Sequence, residues 1–454
     1  MGLKGRRFPR GDLLIFVLLL RYGGKMKKSF ITAFALICCI ALSVPAFAVD
    51  MEYGGYWRTR AYTMDGFSGD SDDKSLDMSK VDARGRLWTK HIINDETSWT
   101  NRLEFNVIWG DEDHGGGIAT DGTDYIRFKH SYVDLDTTVA ETDFHLRIGL
   151  QGFEAAKGML FDDDFAGLIL SHEGDTATHK FIWMKVFEGS TLSGEYEEDL
   201  DDLDVDFIGL SSNFSFMDDA LTLNTNAFYM ASSDGREWSA TTGNQDLDVF
   251  YLGADFNYNL NNGNLWGVFL YEGGSADVVN SSVEYDLSAY IAAIGAEIDL
   301  DPAGIHAQIF YASGDDDLSD TDSEGFYVPR GQSYYWAEIM GLGVFDYTAS
   351  SGSPGDTISN IVAFNLGGSY VVSEDLSLTG DVWFAQHAET NQLVTEEPLG
   401  TEIDLRVDYK LNEDLNLTVV GAYLFADDAT NMGAEDETDV FEIGMQLSFA
   451  FSTL

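Results

Sequence analysis

Residues Glu402 to Leu411 read EIDLRVDYKL. Ile403, Leu405, Val407, Tyr409 and Leu411 fall on one side of an extended chain. Glu402, Asp404, Arg406, Asp408 and Lys410 fall on the other. Period two marks a strand with one apolar and one polar face. Leu415 to Phe425 repeats the pattern, as do Val362 to Tyr370 and Leu376 to Phe384. Eighteen such segments follow one another, from 51–63 to 439–451.

Their connections alternate between short and long. Short turns include Asn94-Asp95-Glu96, Asn261-Asn262, Asp301-Pro302, Ser373-Glu374 and Asn412-Glu413, whereas the longest loop runs from about 314 to 357. That rhythm belongs to a transmembrane barrel, whose turns are short on one side of the membrane and long on the other. A barrel closes its sheet because an unpaired edge has no partner in lipid. The expected fold is therefore all-β: an antiparallel up-and-down transmembrane barrel of about 16–18 strands. No segment after residue 48 has the long apolar run of a spanning helix.

Composition agrees. The chain has 454 residues, with 46 Gly, 6 Pro and 13% aromatics, which suits strands and turns. At 44% hydrophobic residues, it is not a disordered polyanion. With 26 Lys+Arg against 77 Asp+Glu, the net charge of -51 disfavours a nucleic-acid partner.

Residues 26–48 read as a signal peptide. Lys27 and Lys28 precede an apolar stretch, and Ala46-Phe47-Ala48 fits small-residue cleavage. Residues 1–25 then form an upstream extension, most simply a mis-assigned start, and 49–454 the barrel with its long external loops. Both cysteines, Cys38 and Cys39, lie inside the signal, so the exported chain has no thiol chemistry.

The chain ends FEIGMQLSFAFSTL from Phe441. Phe441, Ile443, Met445, Leu447, Phe449 and Phe451 alternate with polar or small residues. This resembles the last strand of Gram-negative outer-membrane porins, with Ser452, Thr453 and Leu454 as an added tail. The resemblance implies that Phe449 and Phe451 form a signal for the barrel assembly machinery. It also implies a cell outer-membrane location, amid outer-membrane lipid and lipopolysaccharide, and the homotrimer that general porins often form. In size the chain is similar to the 18-stranded substrate-specific porins and alginate-export barrels. Trp57, Trp99, Trp109, Tyr409 and Tyr423 fall on apolar faces and are candidates for interfacial girdles.

Basic residues concentrate in the first seven strands. Fourteen lie between 51 and 190, and four between 191 and 454. Parity puts Arg58, Arg60, Lys80, Arg84, Arg86, Arg102, Arg127, Lys129 and Arg147 opposite apolar neighbours. A lipid-facing Arg at the midplane costs roughly 2–4 kcal/mol. These side chains are thus expected to face the lumen as a basic wall. Asp82 and Glu104 share their faces, and Asp162-Asp163-Asp164 is a candidate inward acidic loop. An excess of cations on such a wall attracts anions.

The long loop carries SYYWAEIMGLGVF at 333–345, which is too apolar for a solvated loop and is expected to fold inside. Acidic runs such as 314–325 lack the spacing of a calcium-binding loop, so no cofactor or metal is expected beyond loop-bound Ca²⁺ or Mg²⁺. No histidine sits in a nucleophile or zinc motif, and no enzyme is expected. The function expected is passive diffusion of small hydrophilic, anionic solutes. The alternatives are an export channel for an acidic polysaccharide and a structural barrel with cation-binding loops.

Overall fold

A computed structural model describes residues 50–113, 115–118, 126–187, 205–232, 245–278 and 283–453. The expected signal peptide and upstream extension lie outside these residues. Eighteen long strands form one sheet. They are β1 (Asp50–Asp65), β2 (Met78–Asn94), β3 (Thr97–Ile108), β4 (Ile126–Val139), β5 (Thr142–Ala155) and β6 (Phe161–Glu173). Next come β7 (Ala177–Phe187), β8 (Val205–Phe216), β9 (Leu221–Ser232), β10 (Gln245–Leu260), β11 (Gly263–Val278) and β12 (Glu284–Asp299). The last are β13 (Ala303–Ala312), β14 (Ile361–Ser373), β15 (Leu376–Gln386), β16 (Pro398–Lys410), β17 (Leu415–Ala426) and β18 (Val440–Ser452).

Each strand pairs with its sequence neighbour, and β1 pairs antiparallel with β18 from Gly54↔Ser452 to Asp65↔Phe441. The sheet therefore has no free edge, which is the condition for crossing lipid with strands. Short turns such as 95–96, 261–262 and 374–375 share one rim with the start of β1 and the end of β18. The longer connections share the other.

Burial inverts the usual rule for soluble sheets. On β16, Leu405 is 63% exposed while Glu402 on the opposite face is fully buried. Ile403, Tyr409, Phe364, Leu366, Phe384, Tyr423 and Phe425 are likewise exposed. The exposed apolar side is the lipid-facing wall, and the alternate residues face inward. Trp57 meets Phe449 on this wall, across the closing seam, at a ring separation of 5.6 Å. Phe451 is also exposed there.

The inward face is not polar throughout. Val420, Ala422 and Leu424 on β17, with Phe207, Tyr251, Leu270 and Phe310 on other strands, are buried apolar residues. They lie toward the long-loop rim. The connection 313–360 folds against them and brings its own buried Phe326, Trp336, Ile339, Met340, Phe345 and Ile358. Within it, Asp322–Ser323 adds a short parallel pairing to Asp286–Leu287 of β12. The lumen thus contains a second apolar core, built between wall and loop.

One expectation needs correction. Asp162, Asp163 and Asp164 are not in a loop but on β6, paired with Glu154, Phe153 and Gly152 of β5. The β5–β6 connection is a single tight turn at 156–160, so strand pairing continues through the acidic triplet. Phe153 and Phe161 hold this hairpin end inside the barrel, against Phe207 and Phe228.

Candidate channel constriction

The first five strands carry the basic side chains, and their pleat sends them inward. Arg60 on β1 donates to Asp82 on β2, with Nη2 2.7 Å from Oδ2. Arg86 on β2 donates to Glu104 on β3 at 2.7 Å, and Arg127 on β4 reaches the same carboxylate. Arg84 donates to Asn106 at 2.6 Å and is 4.0 Å from Glu104. These pairs join neighbouring strands and follow from register alone.

Three partners come from elsewhere. Asp346, in the long loop, binds Arg60, accepts from Arg58 at 3.2 Å and lies 3.9 Å from Arg84. Lys80 sits 4.0 Å above the Tyr347 ring, a cation–π contact with the same loop. Asp164 takes both Lys129 and His130, the latter at 2.8 Å. A register shift between Arg102 and Leu103 in the β3–β4 pairing makes this double contact possible. Beyond it the inward parity changes, so Asp134 faces Arg147 at 2.6 Å. Two same-face carboxylates, Asp82 and Glu104, were expected to serve the wall, with Asp162 to Asp164 as candidates; the structure pairs Asp164 from a strand rather than a loop and adds Asp346 and Asp134.

Of the expected residues, Arg58, Arg84, Arg86, Arg102 and Lys129 line one cavity of about 730 Å³. Asp162, Asp163 and Asp164 also line it with Glu154, Asp164 touching Lys129 directly, and the loop contributes Tyr335, Gly343, Val344 and Asp346. Arg60, Lys80, Arg127 and Arg147 stand outside this lining; Arg127 and Arg147 pair within the wall, whereas Arg60 and Lys80 also hold the loop. Among the described residues, Arg102 forms no ion pair.

Sequence reasoning missed Arg406. It lines this cavity and a second one of about 580 Å³ on the far side of the loop. Its place on the polar face of EIDLRVDYKL was the available signal. The second cavity carries Glu297, Glu338, Asp381, Asp404 and Asp408, so the two chambers differ in charge. Tyr335, Gly343 and Val344 separate them.

The loop is held by wall carboxylates that accept its backbone N–H groups. Glu402 accepts from Ile339 and Met340, and Glu272 on β11 accepts from Tyr327 at 2.9 Å. Gln332 donates to the Met159 carbonyl at 2.6 Å, tying the loop to the β5–β6 tip. Phe345 stacks on Tyr62 of β1 with ring centroids 4.9 Å apart. Gly444 on β18 makes room: a Cβ there would meet the Phe345 ring at 2.6 Å. Within the loop, burial pushes the Glu338 carboxyl up to about 7, partly offset by the Val344 N–H it accepts.

Among the described residues, no group of three or more His, Cys, Asp or Glu is arranged to hold a metal ion.

No protein-family model matches the chain, and no curated protein matches its sequence. Its fold is similar to that of solved outer-membrane proteins. The outer membrane protein opdK from Pseudomonas aeruginosa matches with a TM-score of 0.56 at 12% identity, over 89% of this chain and 99% of that one. The same protein has been solved with vanillate. OccK2 (OpdF) from that organism, solved in complex with glucuronate, matches with a TM-score of 0.54 at 12% identity, over 89% of this chain and 97% of its own. What this chain shares with them is the fold.

Proposed function

We propose that this chain is an outer-membrane channel for passive diffusion of small hydrophilic anions. The barrel supplies a sealed path through lipid, and the inserted loop sets the size limit. The observation that carries the anion preference is the state of the charges around the larger cavity. Six basic side chains, Arg58, Arg84, Arg86, Arg102, Lys129 and Arg406, line it against the five carboxylates of Glu154, Asp162, Asp163, Asp164 and Asp346. Asp346 and Asp164 are engaged by basic side chains, and Arg102 projects into the cavity without an ionic partner. Arg84 has carboxylates only at 3.9 and 4.0 Å. A passing anion meets guanidinium groups that still have donors to offer.

The solved channels of similar fold with vanillate and glucuronate hold carboxylates, which supports the same class of solute here. The anchored loop weighs against an exit channel for a long acidic polymer, which needs a continuous track. No step of this reading requires a catalytic group.

The test is the reversal potential of the refolded protein in a planar bilayer under a KCl gradient. Anion-selective current that shifts toward cation selectivity in Arg84→Gln, Arg86→Gln and Arg102→Gln is the expected result. Cation-selective current in the wild type would transfer selectivity to the acidic chamber and overturn the role given to the wall.

A further inference from the structure

A third cavity of about 380 Å³ lies under the β5–β6 tip, on the inner face of β7 to β10. This volume falls within the range of small-molecule pockets, roughly 300–1,000 Å³. Its lining differs in kind from the two charged chambers. Thr178, Ser211, Asn213, Asn224, Asn226 and Asn257 contribute hydroxyls and amides. The charged groups at its border are matched, Lys157 and Lys180 against Glu154 and Asp255. Phe153 adds an aromatic face.

The polar groups form a directed chain. Asn213 donates to Asn224 at 2.6 Å, and Asn224 donates to Asp255 at 2.8 Å. Lys157, whose ammonium pKa is lowered chiefly by burial, donates to Asn257 at 2.7 Å. One atom is left over. Asn226 is only 5% exposed, and among the described residues its Oδ1 has no hydrogen-bond partner. A buried amide oxygen without a donor is costly, and a rotation that turns the Asn226 amide into the cavity lets a ligand hydroxyl supply one.

We infer that this cavity is a subsite for the vicinal hydroxyls of a neutral polyol or the hydroxylated part of a larger solute. Amides and hydroxyls both donate and accept, as a polyol does, and matched border charges give an anion no advantage. The larger basic cavity adjoins it through Phe153 and Glu154. The inference rests on the channel reading for its biological sense, but binding itself does not require conduction.

The experiment is saturation-transfer NMR of sorbitol with the refolded protein, with tetraethylene glycol as a control of similar size that lacks vicinal hydroxyls. Sorbitol should give transfer well above the control. Asn226→Leu should weaken its binding roughly five- to tenfold, the effect of losing one hydrogen-bonding side chain. If Asn226→Leu does not fold, as judged by the heat-dependent gel mobility of the barrel, Ser211→Val carries the same test. Equal transfer from sorbitol and the control, or unchanged sorbitol binding in the folded variant, would overturn the subsite. KCl conductance is measured separately: a protein that binds sorbitol but passes no current refutes the channel and keeps the subsite.

Discussion

Glu402 on the wall and Ile339 in the loop are joined by a 2.6 Å hydrogen bond from the loop's backbone N–H to the carboxylate. The same carboxylate takes the next N–H, from Met340, at 2.9 Å. Glu402 has no measurable solvent exposure. The loop is therefore fixed by its main chain to a strand that is itself fixed by the barrel. Glu402→Leu leaves two buried N–H groups without acceptors, at about 1–3 kcal/mol each. The expected outcome is an intact barrel whose loop is cut by protease and whose single-channel current is noisier. A quiet, protease-resistant loop in this variant would mean that the apolar contacts suffice.

Removing the loop tests its role as the size limit. Deletion of 320–350 takes out the buried Phe326, Trp336, Ile339, Met340 and Phe345. Single-channel conductance should rise and larger solutes should pass in liposome-swelling assays. Unchanged conductance would place the narrowest point elsewhere.

Asp346 gives a prediction of opposite sign to the arginine changes. It binds Arg60 and Arg58 from within the cavity. Asp346→Asn removes a negative charge and releases guanidinium donors toward solute. The reversal potential should move further toward the chloride limit, and high salt should screen the effect.

The loop should also respond to pH. The Glu338 carboxyl has an ordinary value near 4.5 and is raised to about 7 by burial. An acid whose folded pKa lies above its unfolded one stabilises the folded form only while protonated. The loop's hold is thus fullest below about pH 4.5 and weakens as pH rises through 7. Current noise at pH 8 should exceed that at pH 5.5, and Glu338→Gln should remove the difference. Equal noise at both pH values in the wild type would show that this carboxyl does not govern the loop.

The outer wall can be probed at Leu405, which is 63% exposed. Leu405→Arg puts a cation on the lipid face, at about 2–4 kcal/mol near the midplane. The folded fraction in liposomes should fall, whereas Leu405→Phe should fold normally. Equal folding of both would mean that this side does not face lipid.

Period two made the barrel legible. EIDLRVDYKL already separates Leu405 from Glu402, and the structure puts them on opposite sides of the wall. The inward direction of the arginines followed from the same parity. So did two of their partners, Asp82 and Glu104; the loop partner did not. Asp346 lies 288 residues from Arg58, and nothing local encodes which loop returns to which strand. The register shift beside Arg102 hid the pairing of Asp134 with Arg147, because one extra residue reverses the faces beyond it. Asp162 to Asp164 read as a loop because acidic runs usually do; the hairpin end bends inside instead. A quieter signal was present in Val419–Phe425, which is apolar on both faces. Such a run needs lipid on one side and another apolar surface on the other.

The loop also bears on the order of assembly. Phe345 stacks on Tyr62 of the first strand and lies against Gly444 of the last, while Asp346 holds Arg58 and Arg60. The berth for this segment exists only when the chain's two ends stand side by side. An unzipped barrel offers it half a berth. Seating the segment therefore acts as a clasp across the seam: a strand leaving β1–β18 must break ladder bonds and these contacts together. The part of the chain that narrows the passage also braces the joint where its first and last strands meet.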